Sequence, residues 1–158
     1  MNQHQQQRRQ LLKTGGGLTV LGALAAAGIV FPRAALANWD KAAFDAKSMD
    51  EALKAMGAGA PANSADVQIV ASDIAENGAV VPIQVVSKLP GTEKIAILVE
   101  KNPSMLAASF DLGPDTLPEV TARIKMGQTS NVIVVVKADG KFYSAAKEIK
   151  VTLGGCGG

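Results

Sequence analysis

The sequence predicts an all-β antiparallel sandwich of about seven strands for its central part, on three observations. From Asn63 onward, short runs rich in Val and Ile are separated by turn residues, the rhythm of a sandwich rather than of helices. Two of these runs alternate apolar and polar residues with the two-residue period of a half-buried strand. A third, Val132-Ile133-Val134-Val135-Val136, is continuously apolar and reads as a central strand.

The first 37 residues stand apart from the fold and read as an export signal. Arg8-Arg9 opens a basic region that Lys13 closes, an apolar stretch rich in Gly, Ala, Leu and Val runs from Gly15 to Phe31, and Ala35-Leu36-Ala37 is a small-x-small cleavage pattern. The run Arg8-Arg9-Gln10-Leu11-Leu12-Lys13 resembles the twin-arginine export motif, with Leu11 where many such signals carry Phe. The apolar stretch is marginal against the ~20 residues a membrane span needs, so cleavage after Ala37 and no stable membrane association are expected.

Removing this segment changes the charge. It holds four of the 16 basic residues (Arg8, Arg9, Lys13 and Arg33) and none of the 14 acidic ones, so a chain starting at Asn38 carries 12 against 14 and is mildly acidic. Nucleic-acid binding loses its electrostatic support. The segment also holds His4, the single histidine. Without it, a Cys-His or Ser-His nucleophile pair and a histidine-ligated metal or haem are excluded. One cysteine likewise excludes an intramolecular disulfide and a Cys-x-x-Cys pair. No cofactor and no metal are expected.

Residues 38–62 form a helical arm. Phe44, Leu53 and Met56 recur among alanines and charges, Ser48 with Glu51 is a capping box that starts a helix at about Met49, and the stretch from Gly57 to Pro61 ends it. Trp39 and Phe44 are expected to pack the arm onto the main domain or a partner.

Residues 63–153 hold the strands: Asp66 to Ala71, Val80 to Ser87, Glu93 to Glu100, Met105 to Asp111, Glu119 to Met126, Asn131 to Lys137, and Lys141 to Leu153. In the fifth, Val120, Ala122, Ile124 and Met126 point inward, while Thr121, Arg123 and Lys125 form a solvated face or an interface. In the last, Ile149, Val151 and Leu153 point inward against Glu148, Lys150 and Thr152. Pro82 implies an edge position or a bulge for the second strand. Asp139-Gly140 predicts a tight hairpin turn between the last two strands. No nucleotide-binding glycine loop follows a strand.

The chain closes on Gly154-Gly155-Cys156-Gly157-Gly158. Glycine contributes no packing and costs the most entropy to order, so mobility is expected from composition. An exposed free thiol is a liability in an oxidising compartment, which argues for a function at Cys156. Spanning Gly154 and Gly155 and adding the side chain puts sulfur ~10 Å beyond the last strand, on an arm thin enough for a narrow channel. No cation in this run lowers the thiol's pKa, so activation is expected from whatever enzyme receives the arm. A non-catalytic carrier fits these features, and an interchain disulfide staple is the competing reading.

With this β-rich domain and a twin-arginine signal before it, Gly154-Gly155-Cys156-Gly157-Gly158 closely resembles the tail of the SoxY family of thiosulfate-oxidation carrier proteins. The resemblance implies an immunoglobulin-like sandwich paired with a SoxZ-like subunit in a periplasmic heterodimer. It implies Cys156 as the covalent attachment point and Gly154, Gly155, Gly157 and Gly158 as a swinging arm. A SoxAX-like cytochrome would load thiosulfate as an S-thiosulfonate, a SoxB-like hydrolase would release sulfate, and a SoxCD-like sulfur dehydrogenase would oxidise the remaining persulfide. Ubiquitin-like sulfur carriers also end in Gly-Gly, but their ATP-dependent chemistry has no place outside the cytoplasm.

Overall fold

Two short helices open the part of the chain that the computed structural model describes, residues 41–152. The export segment with Arg8 and Arg9, Trp39, Leu153, and the tail residues Gly154, Gly155, Cys156, Gly157 and Gly158 lie outside these residues. Helix α1 is Lys41–Asp45 and α2 is Met49–Ala55. Ser48 caps α2 in extended conformation, its Oγ accepting the Glu51 N–H at 3.2 Å. Glu51 reaches back to the Lys47 N–H at 3.0 Å, one residue earlier than a standard capping box. At the other end Gly57 takes a φ of 69°, and the Ala58 and Gly57 N–H groups close onto the Leu53 and Lys54 carbonyls at 2.8 and 3.0 Å, a Schellman stop.

Nine strands follow: β1 Ala62–Asn63, β2 Val67–Val70, β3 Ile74–Ala75, β4 Val81–Ser87, β5 Thr92–Val99, β6 Leu106–Asp111, β7 Glu119–Ile124, β8 Ser130–Ala138 and β9 Lys141–Val151. The larger sheet has the order β1-β9-β8-β5-β6, with β3 also on β9; the smaller is β2-β4-β7. All seven expected strands are present within a residue or two of their expected ends. The two additions, β1 and β3, are two-residue parallel pairings to β9, too short to leave a period in the sequence.

The sandwich core lies between the sheets. Val81, Ile83 and Val85 with Val120 and Ile124 meet Ile95, Ile97, Val99, Val132, Val134, Val136 and Ile149, all buried. The intervening residues of β5 and β8 face the other way. Ala96, Leu98 and Val135 are buried there with Ala43, Ala46, Ala52 and Leu106, and Phe44, Leu53 and Met56 pack against them. The helical arm is therefore a third layer. It explains why β8 reads as an unbroken apolar run in a mostly antiparallel sheet: both faces are covered.

Over the described residues the alternation read in the fifth and last strands holds, with Val120, Ile124, Met126 and Ile149 buried, Ala122 and Val151 half-buried, and Thr121, Arg123, Lys125, Glu148, Lys150 and Thr152 exposed. Asp139 and Gly140 both adopt positive φ, 48° and 72°, as a two-residue hairpin between paired Ala138 and Lys141 requires. Pro82 lies in β4, which is the middle strand of its sheet rather than an edge. The register reconciles this. Odd residues of β4 hydrogen-bond toward β7, as Ser87 does to the Pro118 carbonyl, and even ones toward β2, as Lys88 does to the Asp66 carbonyl. Because β2 ends at Val70 opposite Gln84, the side of Pro82 that lacks an N–H faces no strand.

Candidate functional site

The described chain stops at Thr152, four residues short of Cys156, so the site open to description is the root from which the cysteine tail departs. Strand β9 outruns its neighbour here. Ile149 pairs with Ser130, the first residue of β8, and beyond that point the antiparallel ladder has no strand to continue on. A side chain supplies the next rung: Val151 N–H donates to Thr129 Oγ1 at 3.0 Å, part-buried. On the opposite edge β3 runs parallel to Lys150 and Val151. There Lys150 N–H donates to the Asp73 carbonyl at 2.9 Å and Thr152 N–H to the Ala75 carbonyl at 3.1 Å.

The segment that carries β3 is itself fixed. Asn77 forms an Asx turn, its Oδ1 accepting the Ala79 N–H at 2.9 Å and its carbonyl the Val80 N–H at 3.2 Å. Gly78 then lies against the root. Its carbonyl accepts the Met126 N–H at 2.7 Å, and a Cβ there would stand 2.3 Å from the Met126 carbonyl oxygen and 2.8 Å from Val151 Cγ1. Only glycine fits this approach. Asn102 ties the neighbouring loops together, donating to the Lys125 carbonyl at 2.6 Å and accepting the Gly127 N–H at 3.2 Å. Lys101 N–H donates to buried Ser130 Oγ at 3.0 Å.

Charge at the root is mixed. Lys147 pairs with Asp73 at 3.0 Å and also donates to the Ala71 carbonyl, while Lys150 and Lys125 are exposed. Asp45, whose carboxyl is held below its ordinary value by a hydrogen bond from Lys41 and then by that lysine's charge, sits on the helical arm. Among the described residues no group of three or more His, Cys, Asp or Glu side chains is placed to hold a metal ion. Among them, too, no helix is long and apolar enough to cross a membrane.

None of the sequence-predicted site residues, Cys156, the four glycines, Arg8 or Arg9, falls within the described part. What the structure adds is the anchoring: β3, Asn77-Gly78 and Thr129. The Asn-Gly pair is a turn signal that a closer reading of residues 71–80 would have found. Thr129 leaves none, because its role follows only from where β8 begins.

A family model described as sulfur oxidation protein SoxY matches residues 52–156, a span that includes Cys156. Among solved structures, the sulfur carrier protein SoxY from Chlorobium limicola f thiosulfatophilum is similar at 44% identity, covering 63% of this chain and 93% of that one with a TM-score of 0.56. The E23A form of the superoxide reductase (neelaredoxin) from Ignicoccus hospitalis is similar at 18% identity and a TM-score of 0.50, covering 63% of this chain and 87% of that one. Another structure of that reductase gives 16% identity, a TM-score of 0.50 and coverage of 54% and 80%. These two likenesses concern the fold alone. No curated protein matches the chain.

Proposed function

The chain belongs to the SoxY family of sulfur oxidation proteins, and on that premise we propose that it is a periplasmic, non-catalytic sulfur carrier that bears its cargo covalently on Cys156. The observation that carries the reading is the family match extending through Cys156, joined to 44% identity with a solved sulfur carrier. Gly154, Gly155, Gly157 and Gly158 leave the thiol without flanking side chains, which suits presentation inside another protein's channel. Arg8-Arg9 supports export by the twin-arginine route with cleavage after Ala37. A SoxZ-like subunit completes the heterodimer.

The chemistry belongs to the partners. Loading joins the Cys156 sulfur to the outer sulfur of thiosulfate; the thiol proton is released and two electrons pass to a SoxAX-like cytochrome. Water then cleaves the bond between that outer sulfur and the sulfonate on a SoxB-like hydrolase, giving sulfate, a proton and a persulfide on Cys156. A SoxCD-like dehydrogenase, where present, takes the electrons of further oxidation. The chain itself holds the substrate and moves it.

Cys156→Ser tests the assignment. The hydroxyl is nearly isosteric with the thiol but forms no persulfide. The variant is expected to keep its thermal unfolding curve, to show no thiosulfonate adduct by mass spectrometry, and to abolish thiosulfate-dependent electron transfer in the assembled system. Retained sulfur-dependent activity, or a wild-type Cys156 found only as a covalent dimer in active cells, refutes it.

A further inference from the structure

Most of the strands that end the two sheets offer little to a further strand. In the larger sheet β1 and β3 are two residues long, and β6 carries a register shift opposite Ile97 and Leu98; in the smaller, β2 has four residues. Strand β7 is different. It pairs with β4 through six successive residues, Glu119 to Ile124, without a shift, and among the described residues its other edge meets no strand. The Pro118 carbonyl accepts the Ser87 N–H, so even residues of β7 bond toward β4 while Glu119, Thr121 and Arg123 turn their backbone groups outward. The Glu119 N–H is taken by the Leu117 carbonyl at 2.8 Å, but those of Thr121 and Arg123 have no partner among the described residues. At the far end Asn102 closes the edge by donating to the Lys125 carbonyl at 2.6 Å.

The side chains along this edge carry a pattern. Glu119, Thr121 and Arg123 are all exposed. Gln84 Nε2 donates to Glu119 Oε1 at 2.6 Å and holds the carboxylate in place with its other oxygen open. Arg123 is the one arginine beyond residue 37, and among the described residues it has neither an ion-pair nor a hydrogen-bond partner. Glu119 and Arg123 stand four residues apart on one strand, about 13 Å, and do not pair with each other.

An edge that is negative at one end, neutral at its centre and positive at the other is complementary to itself run backwards. Laid antiparallel about a two-fold axis through Thr121, two copies set Glu119 against Arg123 twice and Thr121 against Thr121, each a favourable cross-strand pair. The guanidinium then finds the carboxylate it lacks within the chain. The same register puts the open N–H groups of Thr121 and Arg123 of each copy onto carbonyls of the other. An axis at Glu119 or Arg123 would oppose like charges, and one at Ala122 would bring in the Lys125 carbonyl that Asn102 already holds. Leu117, 81% exposed and two residues before Glu119, comes beside Lys125 of the second copy, whose methylene stem can cover it. We propose that β7 is the interface with a second copy of this chain, joining two three-stranded sheets into one of six in an isologous, non-covalent dimer. Each Met126 lies with its own Val151 against Gly78, so the antiparallel pairing sends the two tail roots to opposite ends of the joined strands. It calls for no bond at Cys156.

The test is sedimentation equilibrium of the exported chain over a range of concentrations, alone and with its SoxZ-like subunit. All variants carry Cys156→Ser, which removes any thiol link from the reading. A concentration-dependent dimer is expected, weakened about tenfold or more by Glu119→Arg or Arg123→Glu alone and recovered when the two are combined, because the double reversal restores both opposite-charge pairs. Thr121→Cys is expected to cross-link the copies on mild oxidation, since Cα atoms across a hydrogen-bonded pair are about 5.5 Å apart, while Arg123→Cys, about 13 Å from its mate along the strands, stays unlinked. The cysteine variants decide the matter if the reversals unfold the domain. A chain that stays monomeric throughout, a dimer indifferent to single reversal, or a folded double variant that does not recover overturns the pairing. So does loss of the SoxZ-like subunit from either single variant, which would assign the edge to that subunit.

Discussion

Replacing Gly78 by alanine measures how tightly the root is packed. The added Cβ meets the Met126 carbonyl oxygen at 2.3 Å and Val151 Cγ1 at 2.8 Å, against ordinary contacts of about 3.4 Å or more, so one partner must move by roughly an ångström. Neither moves freely. Met126 is buried and its N–H is bonded to Gly78 itself at 2.7 Å, while Val151 is held by Thr129 and β3. Overpacking of this kind costs about 1–3 kcal/mol, and the reduced entropy of the unfolded chain returns about 0.4–1 kcal/mol. A net loss of about 1–2 kcal/mol is expected, lowering Tm by about 4–8 °C for a domain of this size. Gly127→Ala is the internal control, because nothing lies within 4 Å of its Cβ position. It is expected to leave Tm unchanged or raise it slightly. Thermal unfolding of both variants decides the matter, with hydrogen exchange at the Thr152 amide as a local reading. An equal Tm for Gly78→Ala and wild type would refute the close packing from which the fixed root is argued.

Two further outcomes follow from the same structure. Thr129→Val removes the acceptor for the Val151 N–H while keeping the shape of the side chain; a cost of about 1–3 kcal/mol is expected, with exchange accelerated at the Val151 amide and wild-type protection in β5 and β8, and Thr129→Ser should restore the rung. On the helical arm, the pair between Lys41 and Asp45 lowers the carboxyl's pKa from its ordinary 3.8, first by hydrogen bonding and then by charge. The pair therefore helps the fold above the unfolded-state value, and that help is lost as pH falls through the lower folded-state value; an NMR titration of Asp45 in wild type and Lys41→Met should show the midpoint return upward.

Much of the fold was legible because local and tertiary preferences agree. The run Val132 to Val136 could only be a doubly covered strand, and the helices that cover it announce themselves by Ser48, Glu51 and Gly57. What stayed hidden has no local signature. Strand β3 exists because Ile74 and Ala75 find the free edge of β9 some 75 residues later, a pairing set by the path of the loop rather than by any period in Asp73 to Glu76. Pro82 misled in the other direction. It suggested an edge strand, and β4 is central; the proline is tolerated because β2 stops short of it. At the site, Cys156 and its glycines stand out by composition alone, whereas the anchoring by Gly78 and Thr129 depends on three loops meeting.

Those anchors bear on how a carrier of this design delivers sulfur. Without them the last bond of β9 to its antiparallel neighbour would be at Ile149, and the tether to Cys156 would lengthen from four residues to seven. Each added residue extends the reach by about 3.3–3.6 Å, while the effective concentration of the thiol at a docked active site falls roughly as the −3/2 power of tether length once the span is met. Four against seven residues is a change of about twofold from that factor alone. The larger consequence is directional. With the root held on one side by Thr129 and on the other by Ala75, the tail sets out from a fixed point at Thr152. On the proposed carrier role, a partner that meets the chain beside Thr152 finds that point already placed, so the ordering cost of delivery falls on the residues beyond it.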